Sequence, residues 1–221
     1  MKLIVSALLL LLVIPATAQR NAQQFLSYPK LEFHARVGKV MMLKKPEDVS
    51  QQMTVTTGLT AAYNLRIGKK ANFIHVGMAF ISYRYITDGY FSTNNDITTF
   101  QVAPPEYKQH EIVLNYIQFP LQYKFSPLSG VGIGVGPYLG YLFEGKQRFK
   151  LDNEKFNRTM KMPHAFQAGV GFDVHILTPP GKYIMSPSFG FGAAYQVTDH
   201  LTETPSFRPV SLYVTVGAGL W

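Results

Sequence analysis

The chain contains no cysteine, which excludes a disulfide framework, a thiolate metal site and a thiol nucleophile. Acid is scarce: 13 Asp and Glu stand against 21 Lys and Arg, for a formal net charge of +8. That surplus is spread along the chain, with no basic helix or aromatic platform to organise it, so nucleic acid is not an expected partner. After residue 14 no apolar run approaches the roughly 20 residues that a membrane-crossing helix needs. Neither G-x-G-x-x-G nor Gly-Lys-Ser/Thr occurs, so the glycine-rich stretches are not phosphate loops. None of these absences excludes a β-barrel, whose strands carry their hydrophobicity on alternate residues.

What is present begins with "MKLIVSALLLLLVIPATAQR". Lys2, an apolar core over 3–14 and the small residues Ala16-Thr17-Ala18 read as a secretory signal peptide over 1–18, with Gln19 first in the mature chain. Residues 19–30 are expected as a periplasmic N-terminal segment and 31–221 as one barrel domain.

From residue 31 the dominant period is two. In "LEFHARVGKVMM" (31–42) Leu31, Phe33, Ala35 and Val37 oppose Glu32, His34, Arg36 and Gly38. Residues 52–67 alternate throughout, a pattern that a helix of period 3.6 would scatter around its axis. Further strands are expected at 71–87, 107–125, 130–143, 163–177, 182–197 and 208–221, with a bulge at Phe80-Ile81 where the alternation changes phase. In "GVGIGVGPYLGYLF" the glycines share one face with Tyr138, while Val131, Ile133, Val135, Leu139 and Phe143 share the other. Short links ("GKK", "SPL", "TPPG") alternate with long ones (43–51, 88–106, 144–162, 198–207). Tight periplasmic turns and long external loops give an outer-membrane up-and-down barrel that asymmetry. The fold class is therefore all-β, an eight-stranded antiparallel transmembrane barrel.

In such a barrel the oily face meets lipid and the other face fills the lumen. The lumen is expected to hold a polar network of Glu32, His34, Arg36, Arg66, Gln118, Gln122, Lys124, Asp173 and His175. Gly132, Gly134 and Gly136 leave space there for bulky groups such as Arg36 and Arg66, because eight strands enclose only enough room for side chains. Asp173 and His175 share a strand face and form half of a metal or acid–base pair. No third ligand is legible, so a salt-bridged filler is the favoured reading, as it is for Glu32, His34 and Arg36. No cofactor is expected.

At "YIQFPLQYKF" and "GIGVGPYLGYLF" the sequence resembles the outer-membrane β-barrel family of Bacteroidetes-type bacteria, known as porin-family or PorT-like barrels. Tyr116, Pro120 and Lys124 match its Tyr-x-x-x-Pro-x-x-x-Lys pattern, and Gly134, Gly136, Pro137 and Gly140 its Gly-x-Gly-Pro-x-x-Gly. The resemblance implies an outer-membrane location and passage through the barrel-assembly machinery, which reads a C-terminal aromatic. Trp221 supplies one, on the opposite parity from Leu212, Val214, Val216, Ala218 and Leu220.

The basic segment "EGKQRFKLDNEKFNRTMKMP", with Asp152-Asn153-Glu154 as a hairpin tip, offers Lys146, Arg148, Lys150, Lys155, Arg158 and Lys161 to the phosphates of lipopolysaccharide. Loop 88–106, polar and aromatic, is the kind of segment that meets protein partners. The expected function is non-catalytic: membrane structure, surface contact, or support of an envelope or secretion assembly. The alternatives are a small-solute porin and a lipid-modifying barrel enzyme, the latter disfavoured because His34, His75 and His175 fall on the inward face.

Overall fold

A strand that crosses lipid can satisfy its backbone only if the sheet closes on itself, and here it does. The computed structural model describes residues 28–44, 51–68, 71–94, 97–102, 108–128, 130–151, 154–159, 165–178, 185–198 and 208–221. The expected signal peptide and residues 19–27 lie outside them. The strands are β1 (Leu31–Lys44), β2 (Gln51–Ile67), β3 (Asn72–Thr87), β4 (Gly89–Asn94), β5 (Ile97–Val102), β6 (Lys108–Leu128), β7 (Val131–Leu151), β8 (Glu154–Thr159), β9 (Phe166–Leu177), β10 (Met185–Gln196) and β11 (Arg208–Leu220). Eight of them close an antiparallel barrel in the order β1-β2-β3-β6-β7-β9-β10-β11, with β11 returning to β1 and β6 joining β7.

Registers show the stagger that closure requires. From Val37 the pairs run through Thr57, Ser82 and Asn115 to Glu144 on β7. In the other direction they run through Val214, Phe191 and Val174 to Ile133 on the same strand. The strands are accordingly tilted and sheared, as a barrel of this size demands. At the short-link end Gly68 and Gly130 hold φ of 67° and 78°, the left-handed region that turns favour and only glycine adopts freely.

The outer face is apolar. Phe119, Leu121, Val135 and Phe172 are 41–51% exposed and point away from the axis, whereas Lys124 is fully buried. That holds for the half of the barrel nearest the short links. Higher up, the polarity inverts. On β3 the outward residues change from Val76, Met78 and Phe80 to Ser82 and Arg84, and the inward ones from His75 to Ile81, Tyr83 and Tyr85. On β6 Lys124, Gln122 and Gln118 give way inside to Tyr116, Leu114 and Ile112; on β1 Glu32 and His34 give way to Val40 and Met42.

The phase change at Phe80-Ile81 is therefore not a bulge: β3 pairs without a register shift there on both sides. It marks where the outer face turns from apolar to polar, and the upper barrel becomes an ordinary apolar core. A bulge lies nearby on β7, where Asn115 pairs with Glu144 but Tyr116 with Leu142, leaving Phe143 as the extra residue. The expectation of a polar or small lumen along its whole length is corrected in the same way.

Two expected loops carry structure. Residues 88–106 contain the β4–β5 hairpin, a separate two-stranded sheet. Within 144–162, β7 continues to Leu151 and pairs with β8 as a hairpin, Leu151 opposite Glu154; Asp152 and Asn153, expected at its tip, lie outside the described residues. Phe149 and Phe156 stack across it, centroids 5.5 Å apart.

Placing Arg at Leu121 separates the two faces. In a bilayer, Leu121→Arg is expected to lower unfolding free energy by about 2–4 kcal/mol, read by urea titration of the refolded protein. An unchanged midpoint would mean that Leu121 does not face lipid.

Candidate functional site

The lower lumen gathers ionic side chains from four strands. Glu32 of β1 and Lys124 of β6 are both fully buried, with Nζ donating to Oε2 at 2.8 Å. Lys124 Nζ also lies 3.8 Å from Asp173 Oδ1 and 3.3 Å from His175 Nδ1, both on β9. His75 of β3 sits 2.8 Å from Asn64 Oδ1 and 3.4 Å from Glu32. His34 contacts Ser188 Oγ at 2.9 Å and stacks on His175 with ring centroids 4.3 Å apart. Buried charge in a low-dielectric interior persists only when it is paired in this way.

The glycine alternation makes room for this cluster. Asp173 stands between Gly134 and Gly192 on its neighbouring strands, and His175 between Gly132 and Gly190. A Cβ at Gly134 would lie 3.0 Å from Asp173 Oδ1, and one at Gly190 would be 2.6 Å from Thr215 Oγ1 and run into His175.

The expected occupants are corrected in part. Gly132 accommodates Tyr28, whose ring a Cβ would strike. Arg36 packs against Gly58 and over the Tyr213 ring at 4.8 Å. Arg66 keeps the inward parity but sits at the short-link mouth, exposed, so it is not part of the buried network. Gln118 and Gln122 are buried where they were expected, Gln118 donating to Tyr83 Oη at 3.3 Å.

Two contributors were not legible. Tyr28 and Pro29, assigned to a periplasmic segment, are buried in the lumen. Tyr28 lies 5.1 Å from Phe73 and 5.5 Å from Lys124, and Asn64 Nδ2 holds the Pro29 carbonyl at 2.8 Å. Trp221 donates to Ser186 Oγ at 2.7 Å. Ser186 faces inward, so the half-buried C-terminal indole reaches the mouth of the lumen, and its parity is a consequence.

Above the cluster a cavity of about 60 Å³, bordered by His34, His75, Gln122 and Asp173, reaches Tyr138 and Tyr213. It has room for a few water molecules. Tyr83 and Tyr116, centroids 5.6 Å apart, fill the section beyond.

This architecture and one comparison decide the family. A family described as outer membrane protein beta-barrel domain matches residues 18–219. The chain belongs to that outer-membrane β-barrel family. Among solved structures it is similar to neisserial surface protein A, at 14% identity, covering 87% of this chain and 97% of that one with a TM-score of 0.46. It is also similar to Ail of Yersinia pestis, at 12% identity, 88% and 99% coverage and a TM-score of 0.39. A third is the translocator domain of autotransporter NalP from Neisseria meningitidis, at 10%, 94% and 92%, and 0.31. No curated protein matches the sequence.

Within this outer-membrane barrel the Asp173–His175 pair does not gain a third ligand; a different trio, Glu32, His34 and His175, brings ligand atoms within 4.8 Å of one another. Lys124 engages Glu32 and His175 of this trio, while His34 is taken by Ser188 and His175 Nδ1 also lies 3.5 Å from Asp173 Oδ1. A divalent cation would have to displace the Lys124 charge. The arrangement is an internally paired ionic cluster in which Glu32 Oε1 and Asp173 Oδ1 still lack a hydrogen-bond partner.

The basic outer residues separate by height. Arg148 and Arg158 are exposed and Lys146 is half-exposed, Lys146 pairing with Glu144 at 2.5 Å. The side chains of Lys150 and Lys155, and all of Lys161, lie outside the described residues. Gly134→Val, which would intrude on Asp173 and Gln122, is expected to cost about 1–3 kcal/mol in urea unfolding of the detergent-folded barrel. An unaltered midpoint would contradict this packing.

Proposed function

We propose that this outer-membrane barrel is non-catalytic and closed to solutes, and that it works through its outer wall and upper hairpins. The observation that carries the reading is the succession of side-chain layers along the bore, broken only by the small cavity: Trp221 and Tyr28 at one mouth, the Lys124 cluster, Tyr138 and Tyr213, then Tyr83 and Tyr116. A porin needs an aqueous path past all of these. An enzyme of outer-leaflet lipid needs a nucleophile–base pair at the rim, yet the four histidines among the described residues, His34, His75, His110 and His175, are buried inside.

The role fitting such a protein is membrane structure, surface contact or service to an envelope or secretion assembly, as the PorT-like resemblance implies. Arrival through the barrel-assembly machinery belongs to the same reading. So does contact of the β7–β8 hairpin with lipopolysaccharide, which its arginines favour by charge.

Planar-bilayer recording of the purified protein tests the closed bore. No stable open level is expected, and a steady ohmic conductance would make it a porin. Release of fatty acid or transfer of an acyl chain when it is mixed with lipopolysaccharide or phospholipid would make it an enzyme.

A further inference from the structure

The outer wall of β2, β3, β6 and β7 is unlike the rest of the lipid-facing surface. Directly paired residues place Thr57, Ser82 and Asn115 side by side across three strands, followed by Glu144. This is the level at which polarity inverts, about eleven residues above the short links on β2 and β3, where a tilted strand emerges from hydrocarbon.

A groove of about 360 Å³ opens here. Its sides are the apolar Leu59, Phe80 and Phe143, and its floor is Thr57, Ser82 and Asn115, with Gly58 thinning the wall. Small polar residues set among large apolar ones create the hollow, and the β7 bulge sets Phe143 at its flank. Farther around the barrel Phe166 and Tyr195 keep the wall apolar at comparable distances from the short links.

Cations stand over the groove. Arg84 follows Ser82 on the outward face of β3, while Lys146 and Arg148 follow Glu144 on β7. Glu111 is shared between Arg84 and Arg148, and Glu144 is taken by Asn115 at 2.7 Å and by Lys146. Three cations thus answer two carboxylates, so positive charge remains at the lipid surface.

We infer that this groove seats one phosphorylated glycolipid of the outer leaflet, the membrane's own lipopolysaccharide. An acyl chain lies against Leu59, Phe80 and Phe143. The sugar hydroxyls meet Thr57, Ser82 and Asn115, and a phosphate is drawn to Arg84, Lys146 and Arg148. The inference rests on the outer-membrane reading above and deepens it from general charge attraction by a hairpin to a built seat on the wall.

Native mass spectrometry of the full mature protein in detergent, titrated with bisphosphorylated lipid A, tests it. Ser82→Phe fills the groove without altering charge and is expected to weaken retention about tenfold. The double variant R84Q/K146Q removes two cations near the surface and is expected to weaken it on the order of tenfold or more. Ala193→Phe, on the opposite wall, should leave it unchanged. Heat-modifiable migration in gels reports folding for every variant, and its loss in the wild type would overturn the membrane-barrel reading itself. With folding intact, retention by Ser82→Phe equal to wild type overturns the seat. So does equal binding of dephosphorylated lipid A or of phosphatidylethanolamine, or displacement of lipid by equimolar inorganic phosphate, which would leave an anion patch with no acyl contact.

Discussion

One ammonium group near the barrel axis organises the lower lumen. Lys124 of β6 meets Glu32 of β1, and Asp173 and His175 of β9, so a single fully buried cation ties strands from different sides of the bore. Charges that deep must be neutralised locally. They also need space, which the neighbouring strands supply with glycine at 132, 134, 190 and 192. The glycine alternation, the buried ions and the apolar exterior are one solution to one problem: filling a narrow cylinder whose outside must be oil.

Where the wall rises out of the membrane the problem reverses. Water now lies outside, so Tyr83, Tyr85, Tyr116, Ile112 and Leu114 turn inward and form a soluble-type core, while Arg84, Glu111 and Arg148 turn outward as a cross-strand ion ladder. The two tiers seal the bore by different chemistry, ionic below and aromatic above. Their junction on the outside is a polar ledge under a cationic rim, the place of the proposed lipid seat.

The eight barrel strands and their closure were legible because alternation is strict and long and short links alternate, whereas the extension of β7 to Leu151 and the strands β4, β5 and β8 were not. Parity put Glu32, His34, Gln118, Gln122, Lys124, Asp173 and His175 on one face, and the signal peptide and strand lengths were needed to turn that face inward. Three things did not follow. Hydrophobicity was used as a proxy for facing lipid, so the inversion at Phe80-Ile81 resembled a slip in register when the backbone runs straight through it. Parity carries no height, so Arg66 at the open mouth looked the same as Lys124 at the centre. Contacts between distant segments, such as Tyr28 on Gly132 or Glu32 on Lys124, have no local signal; the only trace of them is that a glycine stands where a side chain would collide.

A double-mutant cycle on the axial pair tests this most directly. Lys124→Met and Glu32→Gln, each measured by urea unfolding of the folded barrel, should separately cost about 3–5 kcal/mol, because each strands a buried partner. The double variant should fall short of their sum by at least about 2 kcal/mol. Two small, additive losses would mean that the ion pair is incidental and that something else holds the lumen closed.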